Sequence, residues 1–486
     1  MNRTGVIFRV WSKDAVEESA RMKIVVLNGS PKGPQSVTMQ YVRYIEKTFS
    51  RHRFTYIDIS EKIHRLEKSE TAFREVLDAV HSADGIFWAF PLFYLLVPSQ
   101  YKRFIELIRE RCAEEAFRNK YAAVLTTSIH VHDTMAHHYM NAVCDDLGMR
   151  YAGSFSASMY DLLKEEQRKQ LILFAKYFLS SIKKEQATPR HYAAVAAHPY
   201  PYAPGAVKDR LPLRGKKVLI VSDAVAEQHN LNRMIIRLQD SFSGYAETVN
   251  LNQLDIKGGC LGCLQCAYDN VCVYEGTDGF TGFFNEKIRS ADVLVFAGAI
   301  RDRFLSSKWK CFFDRTFFNN HIPSMTGKQL GFLVSGPLGQ LPELKQFLEA
   351  YVELQQGNLA GIVSDEYEDS GEIDGLITLL ADRLIRYAVQ GFQKPGSYHE
   401  LGVRKILRDN IWKSMRFPFQ SDHRYFKRQG LYDFPRRTLR EKIRNLSMVM
   451  VTKVPFIRRE IYTKQMKPGM IRPLEKIVAE ADPEET

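Results

Sequence analysis

Four of the seven cysteines of this chain lie within thirteen residues of one another. They follow the pattern Cys-x2-Cys-x2-Cys-x5-Cys, and glycines in the same segment permit tight turns. Closely spaced thiolates are the usual ligands of iron–sulfur clusters, and four of them also form tetrahedral zinc sites. The segment therefore predicts an iron–sulfur cluster, with a zinc site or a metal-free loop as alternatives, at Cys260, Cys263, Cys266 and Cys272.

A loop near the start of the chain has the composition of an anion-binding site. It joins an aliphatic run from Lys23, which indicates a buried parallel strand, to a helix predicted from about Ser36. The start of a helix presents unpaired N–H groups and a positive dipole to an anion. The spacing matches neither G-x-G-x-x-G nor a P-loop, so it suits a single phosphate, with an ordinary strand–helix turn as the alternative. The candidate residues are Asn28, Gly29, Ser30, Pro31, Lys32, Ser36 and Thr38.

Two more candidate loops follow predicted strands at their carboxyl ends, where ligands of open parallel sheets bind. The first loop is apolar and aromatic and suits a flat ring, and the second offers hydroxyls for the edge of such a ring. Alternatively, the aromatic residues of the first of these loops pack beneath the anion-binding loop that begins at Asn28. For the second, the alternatives are a metal bound by His130, His132 and Asp133 or a structural role of these residues. The candidates are Pro91, Leu92, Phe93 and Tyr94 in one loop and Thr126, Thr127, Ser128 and His130 in the other.

These loops need a framework, and the sequence indicates one that occurs twice. The strand and loop from Lys23 recur from Lys217, and residues 81–108 align with residues 289–316 at an offset of 208. Each copy alternates strands and helices, as parallel sheets covered on both faces do. We therefore predict an α/β fold with two tandem, doubly wound parallel-sheet domains. The cysteine segment is an insertion of the second copy relative to the first.

The predicted organisation has five parts. A proline-rich stretch without apolar periodicity separates the two copies as a semi-extended linker. A basic extension, mainly helical or irregular, follows the second copy. The parts are an N-terminal extension (1–21), the first domain (22–184), the linker (185–213), the second domain (214–393) and the C-terminal extension (394–486).

The net charge of +12 is concentrated at the C-terminal end, where residues 401–486 hold 20 Lys and Arg against 10 Asp and Glu. Such a tail could contact an acidic surface, or it could be a solvated face packed on the body. A hydrophobic fraction of 45% excludes collagen-like and disordered classes. No apolar run approaches the roughly 20 residues of a membrane helix, and no signal-peptide pattern is evident. We expect a cytoplasmic protein with no clear nucleic-acid or transmembrane partner.

The first copy resembles the flavodoxin-like NADPH-dependent FMN reductase family. The family pattern is a strand, an N-G-S-P-R/K loop and a later Ser, then P-x-Y and P-x-x-x-K-x-x-x-D/E, and it is matched over about residues 22–180. The tyrosine stands one position later than usual. The resemblance implies FMN as cofactor. Its phosphate would lie in the loop that begins at Asn28, and its isoalloxazine would be covered by the aromatic loop that begins at Pro91. The matching residues are Gly29, Ser30, Pro31, Lys32, Ser36, Pro91, Tyr94, Pro98, Lys102 and Glu106.

The cysteine segment resembles that of the iron–sulfur flavoproteins, members of the same superfamily that carry a [4Fe-4S] cluster in the corresponding loop. The resemblance implies such a cluster on the four cysteines named above. The second copy departs from the FMN pattern, because its first loop lacks glycine and carries the carboxylates of Asp223 and Glu227, which would repel a phosphate. We therefore expect FMN in the first domain only.

In dimers of this superfamily the flavin lies near the partner subunit, so the two copies are expected to form a pseudo-dimer, and a further homodimer is compatible with this. The resemblance implies a flavin-dependent oxidoreductase that receives electrons from NAD(P)H or a ferredoxin-like donor and passes them between FMN and the cluster. The alternatives are a non-enzymatic electron-transfer or redox-sensing flavoprotein and a zinc-containing binding or scaffold protein. No catalytic residue is assigned. Aromatic residues of the tail, such as Phe417 and Phe419, indicate packing or a lid over the flavin.

Overall fold

The computed structural model describes residues 21–197, 200–435 and 438–479. The predicted N-terminal extension, 1–21, lies outside the described residues except for Arg21. Within the described part, no helix is long and apolar enough to cross a membrane. The chain divides into two compact units, Met1–Tyr425 and Phe426–Thr486, and each is described by itself.

The first sheet has five parallel strands in the order β2-β1-β3-β4-β5. Its central strands are runs of aliphatic and aromatic residues buried on both faces, as a covered parallel sheet requires. The strands are β1 (Lys23–Asn28), β2 (Arg53–Asp58), β3 (Gly85–Pro91), β4 (Tyr121–Ser128) and β5 (Arg150–Ser158). The helices are α1 (Val37–Thr48), α2 (Ile63–Lys68), α3 (Glu70–His81), α4 (Ser99–Glu110), α5 (Asp133–Asp146) and α6 (Glu165–Lys183).

The second sheet repeats the strand order of the first, as β7-β6-β8-β10-β11, and β9 pairs antiparallel with the end of β8. The strands are β6 (Val218–Ser222), β7 (Glu247–Asn250), β8 (Val293–Arg301), β9 (Phe304–Leu305), β10 (Gln329–Ser335) and β11 (Asn358–Ser364). The helices are α7 (His229–Asp240), α8 (Cys266–Asp269), α9 (Phe280–Phe283), α10 (Ser307–Arg315), α11 (Pro342–Leu354) and α12 (Ser370–Gln390). The two parallel-sheet α/β domains that the sequence predicts are therefore present.

Alternate residues of the central parallel strands enter different hydrophobic cores. In β1, Ile24 and Val26 join the core beneath α1 and α6, whereas Val25 and Leu27 join a larger core. Because the larger core also contains Leu219 of β6, one continuous core joins the inner faces of both sheets. The remaining face of the second sheet packs against α7 and α12 in a third core.

The two domains contact each other through equivalent lysines. Lys102 of α4 donates to the backbone oxygen of Arg301 in the second domain at 3.0 Å. Lys310 of α10 makes the reciprocal contact and donates to the backbone oxygen of Phe93 in the first domain at 2.8 Å. The two lysines stand 208 positions apart, which is the offset of the sequence repeat.

Carboxylates on the same two helices make a second pair of reciprocal hydrogen bonds between the domains. Glu106 accepts the backbone N–H of Ser307 at 2.6 Å, and Asp314 accepts the backbone N–H of Ser99 at 2.8 Å. Each carboxylate also pairs with the lysine four residues earlier on its own helix. Because buried charges are stable only when they are paired and hydrogen-bonded, this set of contacts fixes α4 against α10.

A left-handed turn follows β3 in the first domain, and the same turn follows β8 in the second. Tyr94 and Leu95 have φ values of 38° and 65°, and Asp302 and Arg303 have values of 47° and 64°. A non-glycine residue in this region costs free energy and is kept only where its surroundings determine it. Each turn is stabilised in part by a lysine of the opposite domain, which donates a hydrogen bond to the carbonyl of the residue just before the turn.

The predicted C-terminal helical extension is present and begins within the first unit. There it forms α13 (Tyr398–Asn410), a π-helical turn (Ile411–Met415) and the start of α14 (Gln420–Arg428). The second unit holds α15 (Leu439–Val451), α16 (Pro455–Glu460), a π-helical turn (Ile461–Gln465) and α17 (Met466–Ala479).

Candidate functional site

A cavity of about 390 Å³ lies at the carboxyl ends of the strands of the first sheet. This volume falls in the range of small-molecule and cofactor sites. Its walls come from the loops after β1, β3 and β4, from the second domain and from the C-terminal extension. The predicted cofactor-binding residues that line it are Ser30, Lys32, Ser36, Thr38, Pro91, Leu92, Phe93, Tyr94, Thr127 and Ser128.

The loop after β1 lies close against the sheet because it begins with Gly29. The N–H of Gly29 donates to the backbone oxygen of Ala89 at 2.7 Å. A Cβ atom at this position would lie 2.8 Å from the Cβ of Phe90 and from the ring of Tyr101. Only glycine allows the backbone to approach this closely.

Asn28 supports the same loop from within the protein. Its side-chain amide donates to Asp58 at 2.8 Å, and its side-chain oxygen accepts the N–H of Ser30 at 3.0 Å. The hydroxyl of Ser30 in turn accepts the N–H of Lys32 at 3.3 Å. These bonds fix the backbone of the loop, so Asn28 acts as a positioning residue beneath the cavity.

One group of polar lining residues gathers at the start of α1. Ser36 is the N-cap, and its hydroxyl accepts the N–H of Met39 at 3.3 Å. The hydroxyls of Thr38 and Thr127 are 2.7 Å apart and link this helix to β4. Lys32 is exposed and lines the same cavity. A helix start with hydroxyls and one ammonium group is an arrangement that favours an anion.

The aromatic turn after β3 forms another wall. Phe93 and Leu96 close it by exchanging backbone hydrogen bonds of 3.0 and 3.2 Å. The ring of Tyr94 packs 5.8 Å from the ring of Tyr351, and its hydroxyl accepts from Gln355 at 3.3 Å. Burial raises the pKa of Tyr94, so its phenol stays protonated. Tyr94 is thus both a cavity wall and a contact between the two domains.

Five predicted residues lie outside the cavity lining. Thr126 is fully buried, and its hydroxyl is 2.8 Å from a ring nitrogen of His137. His130 is exposed, with its Nδ1 3.0 Å from the carboxylate of Asp133. The alternative of a metal bound here with His132 gains no support, because the described residues include no group of three or more His, Cys, Asp or Glu that could hold one. The five are Asn28, Gly29, Pro31, Thr126 and His130.

The C-terminal extension supplies an apolar wall of the cavity, of which sequence reasoning named only Phe419 and missed the other residues. Its first helix, α13, buries a face at four-residue spacing that continues to Ile411, and this period was readable in the sequence. Of the aromatic residues of the tail that were expected to pack or to form a lid, Phe419 lies in this wall, whereas Phe417 is 85% exposed. The wall residues are Val403, Leu407, Met415 and Phe419.

Buried hydrogen bonds fix this wall to the second domain. Asp422 accepts the backbone N–H of His321 at 3.2 Å, and its carboxylate is 2.5 Å from Nδ1 of the same histidine. Ser421 accepts from the side-chain amide of Asn320 at 2.9 Å and donates to the backbone oxygen of Ala267 at 3.1 Å. Since Asn320 and His321 themselves line the cavity, the wall and the second domain meet at its edge.

The cysteine segment lines part of the cavity, through Cys260, Gly262 and Leu264. Cys260 lines it, and the sulfur of Cys260 accepts the N–H of Gly262 at 3.4 Å. Cys266 is buried, with its sulfur 3.7 Å from the side-chain oxygen of Asn320, and Cys263 is exposed. Burial raises the pKa of Cys266 to about 12, so this thiol is protonated near neutral pH.

This arrangement gives no support to the predicted [4Fe-4S] cluster. A cluster needs several thiolates directed at one site, but the described part of the chain contains no group of three or more potential ligands that could hold a metal ion. The same finding weighs against the zinc alternative. The structure therefore does not support a cluster on Cys260, Cys263, Cys266 and Cys272.

Asp314 is a fully buried carboxyl group in the cavity lining. Burial raises the pKa of Asp314 to about 6, although its ion pair with Lys310 acts in the opposite direction. Burial also lowers the pKa of Lys310. Lys310 also donates to the backbone oxygen of Phe93, so the ion pair lies directly beside the aromatic turn.

Several solved structures are similar to about a third of the chain. NADH:FMN oxidoreductase (EMOB), in its apo form, is 23% identical and covers 33% of this chain and 89% of its own, with a TM-score of 0.29. The NAD(P)H:(acceptor) oxidoreductase FerB from Paracoccus denitrificans is 18% identical and covers 34% and 98%, with a TM-score of 0.29. General stress protein 14 from Treponema denticola, in complex with FMN, is 13% identical and covers 34% and 99%, with a TM-score of 0.26.

Comparison with curated proteins gives no match. The model of the NADPH-dependent FMN reductase family, in contrast, matches residues 22–160. This range contains β1 to β5 and all three loops that the first domain contributes to the cavity. The first domain is therefore similar to the NADPH-dependent FMN reductases, a family of flavoprotein oxidoreductases.

Proposed function

We propose that the first domain binds FMN in the cavity and that the protein is an FMN-dependent oxidoreductase that accepts electrons from NAD(P)H. One observation carries this proposal. A single cavity combines a polar lining suited to a phosphate with aromatic and apolar walls suited to a flat ring, and it lies at the loops within the family match.

The residues of the cavity fit the two ends of FMN. Lys32, Ser36 and Thr38 would hold the phosphate at the positive start of α1, with charge-assisted hydrogen bonds. Phe93 and the C-terminal wall would enclose the ring and exclude water from it. When bound, FMN supplies the capacity to accept a hydride and to pass its electrons on. The protein's own contribution is to bind the cofactor, orient it and shield it.

Flavin content and reduction test the proposal. We expect the purified protein to hold one FMN per chain and the flavin absorbance to bleach when NADH or NADPH is added without oxygen. We expect Lys32→Gln to raise the dissociation constant for FMN about tenfold, since one charge-assisted contact is lost. Lys47→Gln, an exposed lysine at the other end of α1, is the matched control. Protein that binds no FMN, or equal affinities for the two variants, would refute the proposal.

The C-terminal wall favours a second candidate function, an electron-transfer or redox-sensing flavoprotein without a small-molecule substrate. A wall fixed by Asp422 and Ser421 restricts the approach of a second small molecule to the ring. In that case a ferredoxin-like donor would supply the electrons. Steady-state oxidation of NAD(P)H with an artificial electron acceptor separates the two: turnover indicates the oxidoreductase, and flavin reduction by a protein donor without turnover indicates the carrier.

Neither candidate requires a cluster at the four cysteines. A relay between FMN and a [4Fe-4S] cluster stays a prediction from the sequence. Iron and acid-labile sulfide analysis of the anaerobically purified protein tests it. Stoichiometric iron would show that the cysteine segment rearranges around a cluster, and protein that binds FMN but no iron would reject the relay.

A further inference from the structure

The second compact unit exposes an apolar helix face. In α15, Leu439, Ile443, Leu446 and Met450 follow the i, i+4, i+7, i+11 spacing that places side chains on one face. These four side chains are between 56% and 74% exposed, and α15 has no buried residue. Contiguous apolar surface of this kind marks an interaction site.

A second apolar face follows in α17. Met466, Met470, Leu474 and Ile477 again share one side of the helix, and they are between 41% and 67% exposed. Between the two faces, Phe456 of α16 is 78% exposed. The exposed apolar surface is therefore distributed along the whole of residues 438–479.

The same segment is strongly basic. Residues 438–479 contain ten Lys and Arg against three Asp and Glu. In α15, Arg440 and Arg444 lie along one side of the apolar face, and Lys442 lies along the other. The segment is thus amphipathic, with cationic residues at the borders of an apolar face.

We propose that residues 438–479 form an arm that binds the surface of an anionic lipid membrane. An interfacial helix inserts its apolar face at the boundary between headgroups and acyl chains while its basic residues contact anionic headgroups. Each Lys or Arg near such a surface strengthens binding by its attraction to the anionic headgroups. The arm is compatible with surface binding and not with spanning, since no helix in the described residues could cross a membrane.

A lipid surface explains both properties of the arm, and a nucleic acid explains one. Phosphates of a nucleic acid would neutralise the charge, but they would leave the eight large apolar side chains of the two faces in water. Binding to a membrane would bury those side chains and pair the charges in the same step. The proposal does not depend on FMN.

Vesicle flotation with the full chain tests the proposal. The probes are vesicles of phosphatidylcholine alone and vesicles that also contain phosphatidylserine. We expect the protein to float with the anionic vesicles, to remain unbound with the neutral ones, and to be released partly by high salt, because screening weakens the electrostatic contribution.

Two variants separate the apolar and the electrostatic contributions. We expect Ile443→Ser with Leu446→Ser, and separately Arg440→Gln with Lys442→Gln, each to weaken binding to anionic vesicles at least tenfold. Leu379→Ser, an exposed apolar residue of α12, is the control and should bind like the wild type. Unchanged thermal unfolding in all variants shows that the chain remains folded.

Three outcomes would overturn the proposal. They are equal flotation of the wild type and the Ile443→Ser/Leu446→Ser variant, no flotation with anionic vesicles, and binding to mixed-sequence RNA without binding to vesicles. The last result would assign the arm to nucleic acid. Flotation that depends on both anionic lipid and the two aliphatic side chains supports the proposal.

Discussion

Gly29 determines how closely the loop after β1 approaches the first sheet. The space beside its backbone is filled by Phe90 and the ring of Tyr101, both within 2.8 Å of where a Cβ would stand. Asn28 then holds the next turn of the loop from below. Some residues of the N-G-S-P-K motif, Asn28 and Gly29 among them, do not line the cavity. Their role is to set the backbone conformation of the loop, and other residues of the motif face the ligand.

We expect Gly29→Ala to raise the dissociation constant for FMN at least about tenfold, or 1.4 kcal/mol, because the added methyl group displaces the loop. Quenching of flavin fluorescence during titration of the apoprotein measures this. Gly375→Ala, in α12, is the control, since a Cβ there meets nothing within 4 Å. An unaltered affinity of the Gly29 variant would show that the loop tolerates the shift.

His137 gives the structure a pH dependence. Burial lowers the pKa of His137 from 6.5 to about 4. Between pH 6.5 and 4 this histidine is protonated in the unfolded chain but still neutral in the folded protein. The free energy of unfolding is therefore unaffected by this group above pH 6.5 and decreases as the pH falls towards 4. The loss is on the order of 3 kcal/mol. Urea unfolding at several pH values measures it.

We expect His137→Asn to remove most of this pH dependence between pH 6.5 and 4. The neighbouring His138 is exposed, so His138→Asn should keep the wild-type profile. The difference between the two variants isolates His137 from the other groups that titrate in this range. Parallel profiles for both variants would disprove the assignment.

At the scale of elements, α4 and α10 act as a matched pair. Each helix donates a lysine to the backbone of the opposite domain and receives the first N–H of the opposite helix on a carboxylate. The two contacts differ in what they support. Phe93, which Lys310 holds, lines the cavity, whereas Arg301, which Lys102 holds, lies outside its lining.

We expect Lys310→Met to lower the free energy of unfolding by about 3–5 kcal/mol, because it leaves the buried carboxylate of Asp314 without its cation. Lys102→Met should lower it by less, because Glu106 keeps an ion pair with Arg103 at 3.2 Å. The effect on FMN should distinguish them. The dissociation constant should rise in the Lys310 variant and stay within about twofold of wild type in the Lys102 variant. Equal changes in FMN affinity would mean that the turn at Phe93 does not depend on Lys310.

The C-terminal wall leads to a prediction about cofactor release. Phe419→Ala removes a buried ring from the cavity wall, so we expect FMN to dissociate about tenfold faster or more. Phe417→Ala, which changes an exposed ring two residues away, should leave the rate unchanged. Mixing the holoprotein with an excess of apoflavodoxin as a trap measures the rate. Identical rates for the two variants would exclude a role of the wall in retention.

At the scale of the molecule, the sequence predicted the two sheets because a buried parallel strand is a continuous aliphatic run, which leaves a strong and local signal. The repeat reinforced that signal, and the strand order is the same in both sheets. The loops of the first domain were predicted for a related reason. The carboxyl ends of parallel strands meet at one edge, so Ser36, Phe93 and Thr127 come together from distant positions.

The rest of the site depends on contacts between parts of the chain that sequence spacing does not relate. Val403 and Phe419 reach the cavity because Asp422 is bonded to His321, about a hundred residues earlier. For the cysteines, the sequence spacing predicted a site that the structure does not support. Their spacing is that of a ligand motif, but the direction of each thiol depends on its surroundings, and Cys266 faces the oxygen of Asn320.

The reciprocal lysine contacts have a consequence for how the protein responds to dilution and to mutation. In an assembly of separate subunits such an interface dissociates at low concentration, but here both halves belong to one polypeptide and keep a fixed effective concentration. The dissociation constant for FMN should therefore be the same in nanomolar and micromolar solutions of the protein. A single substitution also alters one half only, so either half can lose a property that the other retains.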